Sequence, residues 1–134
     1  MALVILLFVP GCGHADVEAG TFFPTWNPDG AVPSGIVAGT LVEENDCLFI
    51  DGNGARTLVV WEEGMGYKSG TLLDKGGEPI AHLGDTIHGG GGYYSDRTHI
   101  EGLAEEAIPN RCVLDGPDRF ALIYDVTSGF TGRP

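Results

Sequence analysis

The sequence has few basic residues, and none of them precedes Arg56. Seven Lys and Arg residues stand against 19 Asp and Glu residues, giving a formal net charge of −12. Nucleic-acid-binding domains need clustered cations to contact phosphates, so this distribution argues against a nucleic-acid partner. It also disfavours adsorption of the protein surface to anionic lipid. Attachment to a membrane would therefore depend on a terminal segment.

Recognised catalytic and phosphate-binding motifs are also absent from the sequence. There is no Walker or Rossmann glycine pattern, no HExxH zinc motif and no serine in a nucleophile-elbow context. We therefore predict no catalysis, no cofactor and no bound metal. The alternative is a small extracytoplasmic enzyme or metal-binding protein that uses the region between His88 and His99.

No apolar run is long enough to span a bilayer, which takes about 20 residues. Residues 2–9 are nevertheless all apolar, Ala-Leu-Val-Ile-Leu-Leu-Phe-Val. Their length fits the hydrophobic region of a signal peptide, which we assign to residues 1–11. Two other interpretations stay open. The protein could be secreted without a lipid, or residues 2–9 could form a buried first strand of a cytosolic protein.

The four residues Val9-Pro10-Gly11-Cys12 resemble the lipobox of bacterial lipoproteins. That resemblance implies cleavage after Gly11 and a diacylglycerol on the thiol of Cys12. It also implies that the mature chain sits on the extracytoplasmic face of the cell membrane. Segments 39–42, 47–48, 59–61 and 84–90 further resemble domains of uncharacterised exported actinobacterial proteins, and this second resemblance implies no particular activity.

Three cysteines are present, at positions 12, 47 and 112. With a lipid on Cys12, two remain, and a pair of cysteines outside the cytoplasm usually forms a disulfide. Cys47 and Cys112 each open an apolar run and could meet on neighbouring strands. A bond between them would stabilise the domain by roughly 4 kcal/mol. Two unpaired buried thiols are the alternative.

Twenty-two glycines, scattered between short apolar runs, favour tight turns between short strands. We predict a mainly β domain over residues 36–126, either a small six- to seven-stranded OB-like barrel or a sandwich, with one short helix. Residues 12–35 are expected to form the lipidated cysteine and a flexible tether, and residues 127–134 a tail. Within the tether, Phe22, Phe23 and Trp26 are expected to dock on the domain, with partner binding as the alternative.

One helix and several strands follow from local patterns. Thr98 followed by Glu101 resembles a capping box, which predicts a helix running to Ile108 before Pro109 stops it. Strands are predicted at 36–43, 47–51, 57–61, 71–74, 79–83, 85–87, 112–114 and 119–126, with a hairpin turn at 51–54.

The candidate ligand site lies in residues 84–94, where four consecutive glycines precede two tyrosines. Glycine backbone permits close approach by a ligand, and the tyrosine rings offer stacking surfaces. We select Asp85, His88, Tyr93 and Tyr94 as a candidate ligand loop, with a mobile loop as the alternative. Three histidines, His82, His88 and His99, are weak candidates for metal ligands because their spacing matches no metal motif.

These observations together predict a lipid-anchored extracytoplasmic β-domain with a binding or structural role in the cell envelope. Its expected partners are the membrane, through the lipid, and an envelope protein or small ligand.

Overall fold

The computed structural model describes residues 20–30, 32–52, 54–114 and 119–128. The predicted signal peptide, Cys12 and the tether up to residue 19 lie outside these ranges, as do residues 129–134 of the predicted tail. Among the described residues, no helix has the length and apolar character needed to cross a membrane.

The described residues form nine strands, one α-helix and one 3₁₀ helix. The strands are β1 (Thr25–Trp26), β2 (Gly35–Glu44), β3 (Cys47–Gly52), β4 (Ala55–Glu62), β5 (Gly66–Lys68), β6 (Thr71–Leu73), β7 (Pro79–His82), β8 (Thr86–Tyr94) and β9 (Phe120–Ser128). The α-helix α1 (Arg97–Ala104) and the 3₁₀ helix (Asn110–Cys112) lie between β8 and β9.

Five of the strands form a ring in the order β4-β3-β2-β8-β9. Parallel pairing of β4 with β9, from Leu58 opposite Phe120 to Val60 opposite Leu122, closes the ring over a short stretch. The other ring pairings are antiparallel. Closure makes the domain a barrel rather than a sandwich, and the prediction of a mainly β fold with one short helix is confirmed.

The apolar run in β4 is buried on both faces of the barrel wall. Side chains alternate along a strand, so Val59 and Trp61 join the core inside the ring, whereas Leu58 and Val60 join a second core outside it. The same alternation divides β9. The inner core contains Val37, Leu41, Leu48, Ile50, Val59, Trp61, Ile87, Ala121 and Ile123. The outer core joins Phe49, Leu58, Val60, Phe120 and Leu122 to Ile100, Ile108 and Cys112.

A separate sheet of β5, β6 and β7 covers one end of the barrel. Tyr67, Leu72 and Ala81 from this sheet are buried in the inner core. The chain enters the sheet directly after β4 and leaves it directly before β8, so the sheet packs at the end of the ring where β4 finishes. The opposite end, where β3 ends and β4 and β9 begin, is called the barrel mouth below.

The prediction that the N-terminal aromatic residues dock on the domain is confirmed for Phe22, Phe23 and Trp26, which are all buried. The Phe23 ring stacks on Trp61 with centroids 5.6 Å apart. The Trp26 indole donates a hydrogen bond to the Ile123 carbonyl oxygen at 3.0 Å. The packed part of the chain therefore begins before residue 36, at the segment that the sequence assigned to the tether.

The prediction of a disulfide is also confirmed. Cys47 and Cys112 are bonded, with their Cα atoms 5.6 Å apart and a sequence separation of 65. Cys47 begins β3, and Cys112 ends the 3₁₀ helix. The bond ties the segment that carries α1 to the barrel wall, and both half-cystines are buried in the outer core.

The helical region differs from the sequence prediction at both ends. Asp96, rather than Thr98, caps α1, because its side chain accepts a hydrogen bond from the His99 amide at 3.2 Å. The helix stops at Ala104 because Glu105 adopts a left-handed conformation. Ile108 is still buried, but in the segment after the helix. The strand predicted at 112–114 is wrong, since the 3₁₀ helix ends at Cys112 and no strand follows before residue 115.

Candidate functional site

The four consecutive glycines lie inside β8 and not in a loop, which corrects that expectation. A Cβ atom on Gly91 would lie 1.8 Å from the Leu122 carbonyl oxygen, and one on Gly89 would lie 2.5 Å from the Tyr124 carbonyl oxygen. At Gly90 a Cβ would lie 2.5 Å from the Tyr124 ring. The glycines are therefore needed for close contact between β8 and β9, and they leave no open backbone for a ligand.

Tyr124 explains why glycine occupies position 90. The two residues are direct partners across β8 and β9. The Tyr124 ring covers Gly90, and its hydroxyl donates a hydrogen bond to the Pro33 carbonyl oxygen at 2.9 Å. The ring also packs edge-on against Trp26, with centroids 6.2 Å apart. A side chain at position 90 would displace this ring.

The residues chosen from the sequence as a ligand loop are not brought together as one site. Asp85 accepts a hydrogen bond from the His82 amide at 2.8 Å and so closes the turn before β8. His88 makes a 2.9 Å hydrogen bond with the Thr127 hydroxyl. Tyr94 packs against the ring of His99. In the described ranges, no group of three or more His, Cys, Asp or Glu residues is placed to hold a metal ion.

Of those residues, Tyr93 lines a pocket. The pocket has a volume of about 130 Å³ and lies at the barrel mouth. Four strands of the ring, β2, β3, β4 and β8, line the pocket, together with the residue just before β9. The lining residues are Ala38, Ile50, Gly52, Ala55, Thr57, Tyr93 and Arg119. Small residues at three of these positions leave the space open. Because the small sheet covers the other end of the barrel, the mouth gives access to the inner core from one side.

The Tyr93 ring is fixed at the rim of the pocket. Its hydroxyl accepts a hydrogen bond from the Ala38 amide at 3.3 Å and faces the Ala38 carbonyl oxygen at 3.5 Å. Tyr93 as a whole is still 52% exposed. These backbone contacts engage the hydroxyl, so the ring offers mainly its apolar surface to a molecule in the pocket.

Thr57 places an unpaired hydroxyl in the pocket wall. The residue is only 4% exposed, and within the described residues its hydroxyl makes no hydrogen bond. In that same part of the chain, only Trp61 Nε1 is both sealed from solvent and unpaired. The Thr57 hydroxyl is therefore accessible from the pocket, and a bound molecule could satisfy it.

Arg119 supplies the charge of the pocket. It is exposed, precedes β9 by one residue, and makes no ion pair or side-chain hydrogen bond with the described residues. By contrast, Arg56 binds Asp51 at 2.7 Å and Glu44 at 2.7 Å. These contacts neutralise Asp51, next to the lining residue Gly52, and lower the pKa of Asp51 chiefly through the hydrogen bond from Arg56. No carboxylate of the described residues neutralises Arg119 in the same way.

A second pocket, of about 190 Å³, lies between the barrel and the small sheet. Two of its charged groups, Glu62 and Lys75, bind each other. The buried Glu62 carboxylate accepts hydrogen bonds from Lys75 Nζ at 2.7 Å and from the Asp125 amide at 3.0 Å. The hydrogen bond to Glu62 raises the pKa of Lys75. This arrangement links β4, β9 and the turn after β6, and it leaves Glu62 and Lys75 occupied.

No local pattern in the sequence indicates Thr57 or Arg119 as site residues. Thr57 reads as part of an ordinary strand, and Arg119 as the flank of another, and the two residues meet only when β4 and β9 close the ring. The small residues Ala38, Gly52 and Ala55 leave room for the pocket. In the sequence, however, they look like ordinary strand and turn residues.

Comparison with known proteins finds no matching family model, no matching curated protein and no matching solved structure.

Proposed function

We propose that this chain is an exported domain, anchored to the extracytoplasmic face of a cell membrane by a lipid on Cys12, with a binding role in the cell envelope. The binding site of this proposal is the pocket at the barrel mouth. The observation that supports this extracytoplasmic location is the disulfide between Cys47 and Cys112.

Disulfides persist in oxidising compartments and are rare in reducing ones, so the bond supports export. It also accounts for two of the three cysteines and leaves Cys12 for the lipid. Nine residues lie between Cys12 and the docked Phe22, so the two residues are ten positions apart in the chain. A chain of that length reaches at most about 35 Å, so the anchored domain would stay close to the membrane surface.

The binding role is supported by the contrast between the two pockets. In the pocket under the small sheet, Glu62 and Lys75 bind each other. At the barrel mouth, Thr57 and Arg119 have no partner within the described residues. Buried polar groups are normally paired in native proteins, so an unpaired hydroxyl on a pocket wall favours an external partner.

The lipid can be tested by growing a bacterial host with an alkyne analogue of palmitate and detecting the label on the purified chain. We expect label on the native chain and none on Cys12→Ala. The double variant Cys47→Ala/Cys112→Ala is the matched control, since it also loses cysteines but should keep the label. An unlabelled native chain, or equal labelling of Cys12→Ala, would refute the anchor.

A further inference from the structure

We infer that the barrel-mouth pocket binds a small monocarboxylate, with the carboxylate on Arg119 and Thr57 and a short hydrocarbon group against Ile50 and the Tyr93 ring. This inference rests on the proposed binding role of the same pocket and adds the chemical class of the ligand. A larger molecule could enter by a carboxylate-bearing end of the same size.

The charge of the site selects an anion. Arg119 is a cation without a carboxylate partner among the described residues, in a protein whose formal net charge is −12. A guanidinium binds a carboxylate through paired, charge-assisted hydrogen bonds. Thr57, a residue that is only 4% exposed, adds a hydroxyl donor.

The charge of the pocket lining also favours a ligand with one negative charge over a ligand with two. Among the described residues, Arg119 is the one charged residue that lines the pocket. A dianion such as phosphate would keep an uncompensated charge beside a strongly acidic protein, and that charge is repelled by the surrounding field. A monocarboxylate is neutralised by one guanidinium.

The remaining lining selects an apolar body of limited size. Ala38, Ile50 and Ala55 supply aliphatic surface, and the Tyr93 ring adds an aromatic wall. A cavity of about 150 Å³ holds benzene, which has six carbon atoms. The pocket, at about 130 Å³, therefore fits a ligand or ligand end of about that size. Isobutyrate, with six non-hydrogen atoms, matches both the volume and the charge.

The test is a titration of the ¹⁵N-labelled full chain, in a non-ionic detergent, with isobutyrate and separately with its neutral isostere isobutyramide. Both probes have the same shape, so their difference isolates the carboxylate. We expect isobutyrate to shift the amide signals of Ala38, Gly52 and Ala55 in a saturable way. Isobutyramide should bind at least about tenfold more weakly, as should phosphate.

Variants assign the interaction to residues. Arg119→Gln should weaken isobutyrate binding about tenfold, and Thr57→Val should weaken it by a smaller factor, about fivefold. Lys68→Gln is the matched control, because it removes one exposed positive charge from β5, outside the pocket. It should leave binding unchanged. Unshifted signals from the rest of the chain verify that each variant is folded.

Two results would overturn the inference in different ways. If isobutyramide or phosphate binds as tightly as isobutyrate, or if Arg119→Gln binds normally, the ligand class is wrong while the pocket remains a binding site. If no probe shifts the mouth signals, both the ligand class and the proposed binding site are wrong. The lipid anchor is tested separately by the labelling of Cys12.

Discussion

Replacing Gly90 with alanine should destabilise the barrel, although alanine is the smallest side chain that can be introduced. The new Cβ would lie 2.5 Å from Cζ of Tyr124 and 2.8 Å from its hydroxyl oxygen. The ring would have to move, and its two anchoring contacts, with Pro33 and Trp26, would be lost.

The magnitude follows from those contacts. The hydrogen bond to Pro33 is worth about 1 kcal/mol, and the aromatic pair with Trp26 is worth about 0.5–1.5 kcal/mol. Alanine in place of glycine also stabilises the folded state by about 0.5–1 kcal/mol, because it reduces the entropy of the unfolded chain. The net loss should be about 0.5–2 kcal/mol in the free energy of unfolding, which lowers Tm by roughly 2–12 °C for a domain of this size.

Urea denaturation of the oxidised protein, followed by tryptophan fluorescence, measures this loss. Gly102→Ala is the matched control, because Gly102 lies on the exposed side of α1 and an added Cβ meets nothing within 4 Å. The same chemical change there should raise stability by up to about 1 kcal/mol.

A second variant separates the ring from the backbone. In a Tyr124→Ala background the methyl group of Gly90→Ala meets no ring, so its penalty should disappear. The reasoning is refuted if Gly90→Ala is as stable as the native protein, or if its penalty is unchanged when Tyr124 is absent.

Three further predictions concern the bonds that hold the fold together. Removing the disulfide with Cys47→Ala/Cys112→Ala should lower the free energy of unfolding by roughly 4 kcal/mol, measured against the oxidised native chain, and a loss below 1 kcal/mol would contradict its role. Asp96→Ala should cost about 1 kcal/mol because it removes the cap of α1, whereas Thr98→Ala should be nearly neutral; the reverse order would restore the capping box expected from the sequence. Asp51 has a lowered pKa, so its stabilising effect is present above its unfolded pKa of about 3.8 and is lost as the pH falls through the folded value. Asp51→Asn should therefore reduce the loss of stability between pH 5 and 3, and an unchanged pH profile would contradict this.

Several elements of the fold were predictable because their signals are local. The apolar run of β4 and the alternating residues of β9 mark buried strands, and the Asp-Gly and Asn-Gly pairs at 51–54 mark the turn between β3 and β4. The disulfide followed from counting cysteines. Each of these signals lies within a few residues or in the composition.

Other elements depend on contacts between distant parts of the chain. Glycine has a low strand propensity, so the sequence did not predict the glycine-rich part of β8. That part is a strand because it pairs with Tyr124 and Leu122 of β9. The capping-box pattern predicted Thr98 as the N-cap of α1, but Asp96, two residues earlier, caps the helix. Thr57 and Arg119 acquire a possible function only by meeting at the barrel mouth, and no local pattern encodes that meeting.

The central claim is that the mature chain begins at a lipidated Cys12 and carries a disulfide between its two other cysteines. Intact-mass spectrometry of the protein extracted from membranes tests both parts at once. The account predicts the mass of residues 12–134 with a lipid added, less the two hydrogen atoms that disulfide formation removes. A chain that begins at Met1, has no lipid and carries reduced thiols would contradict it.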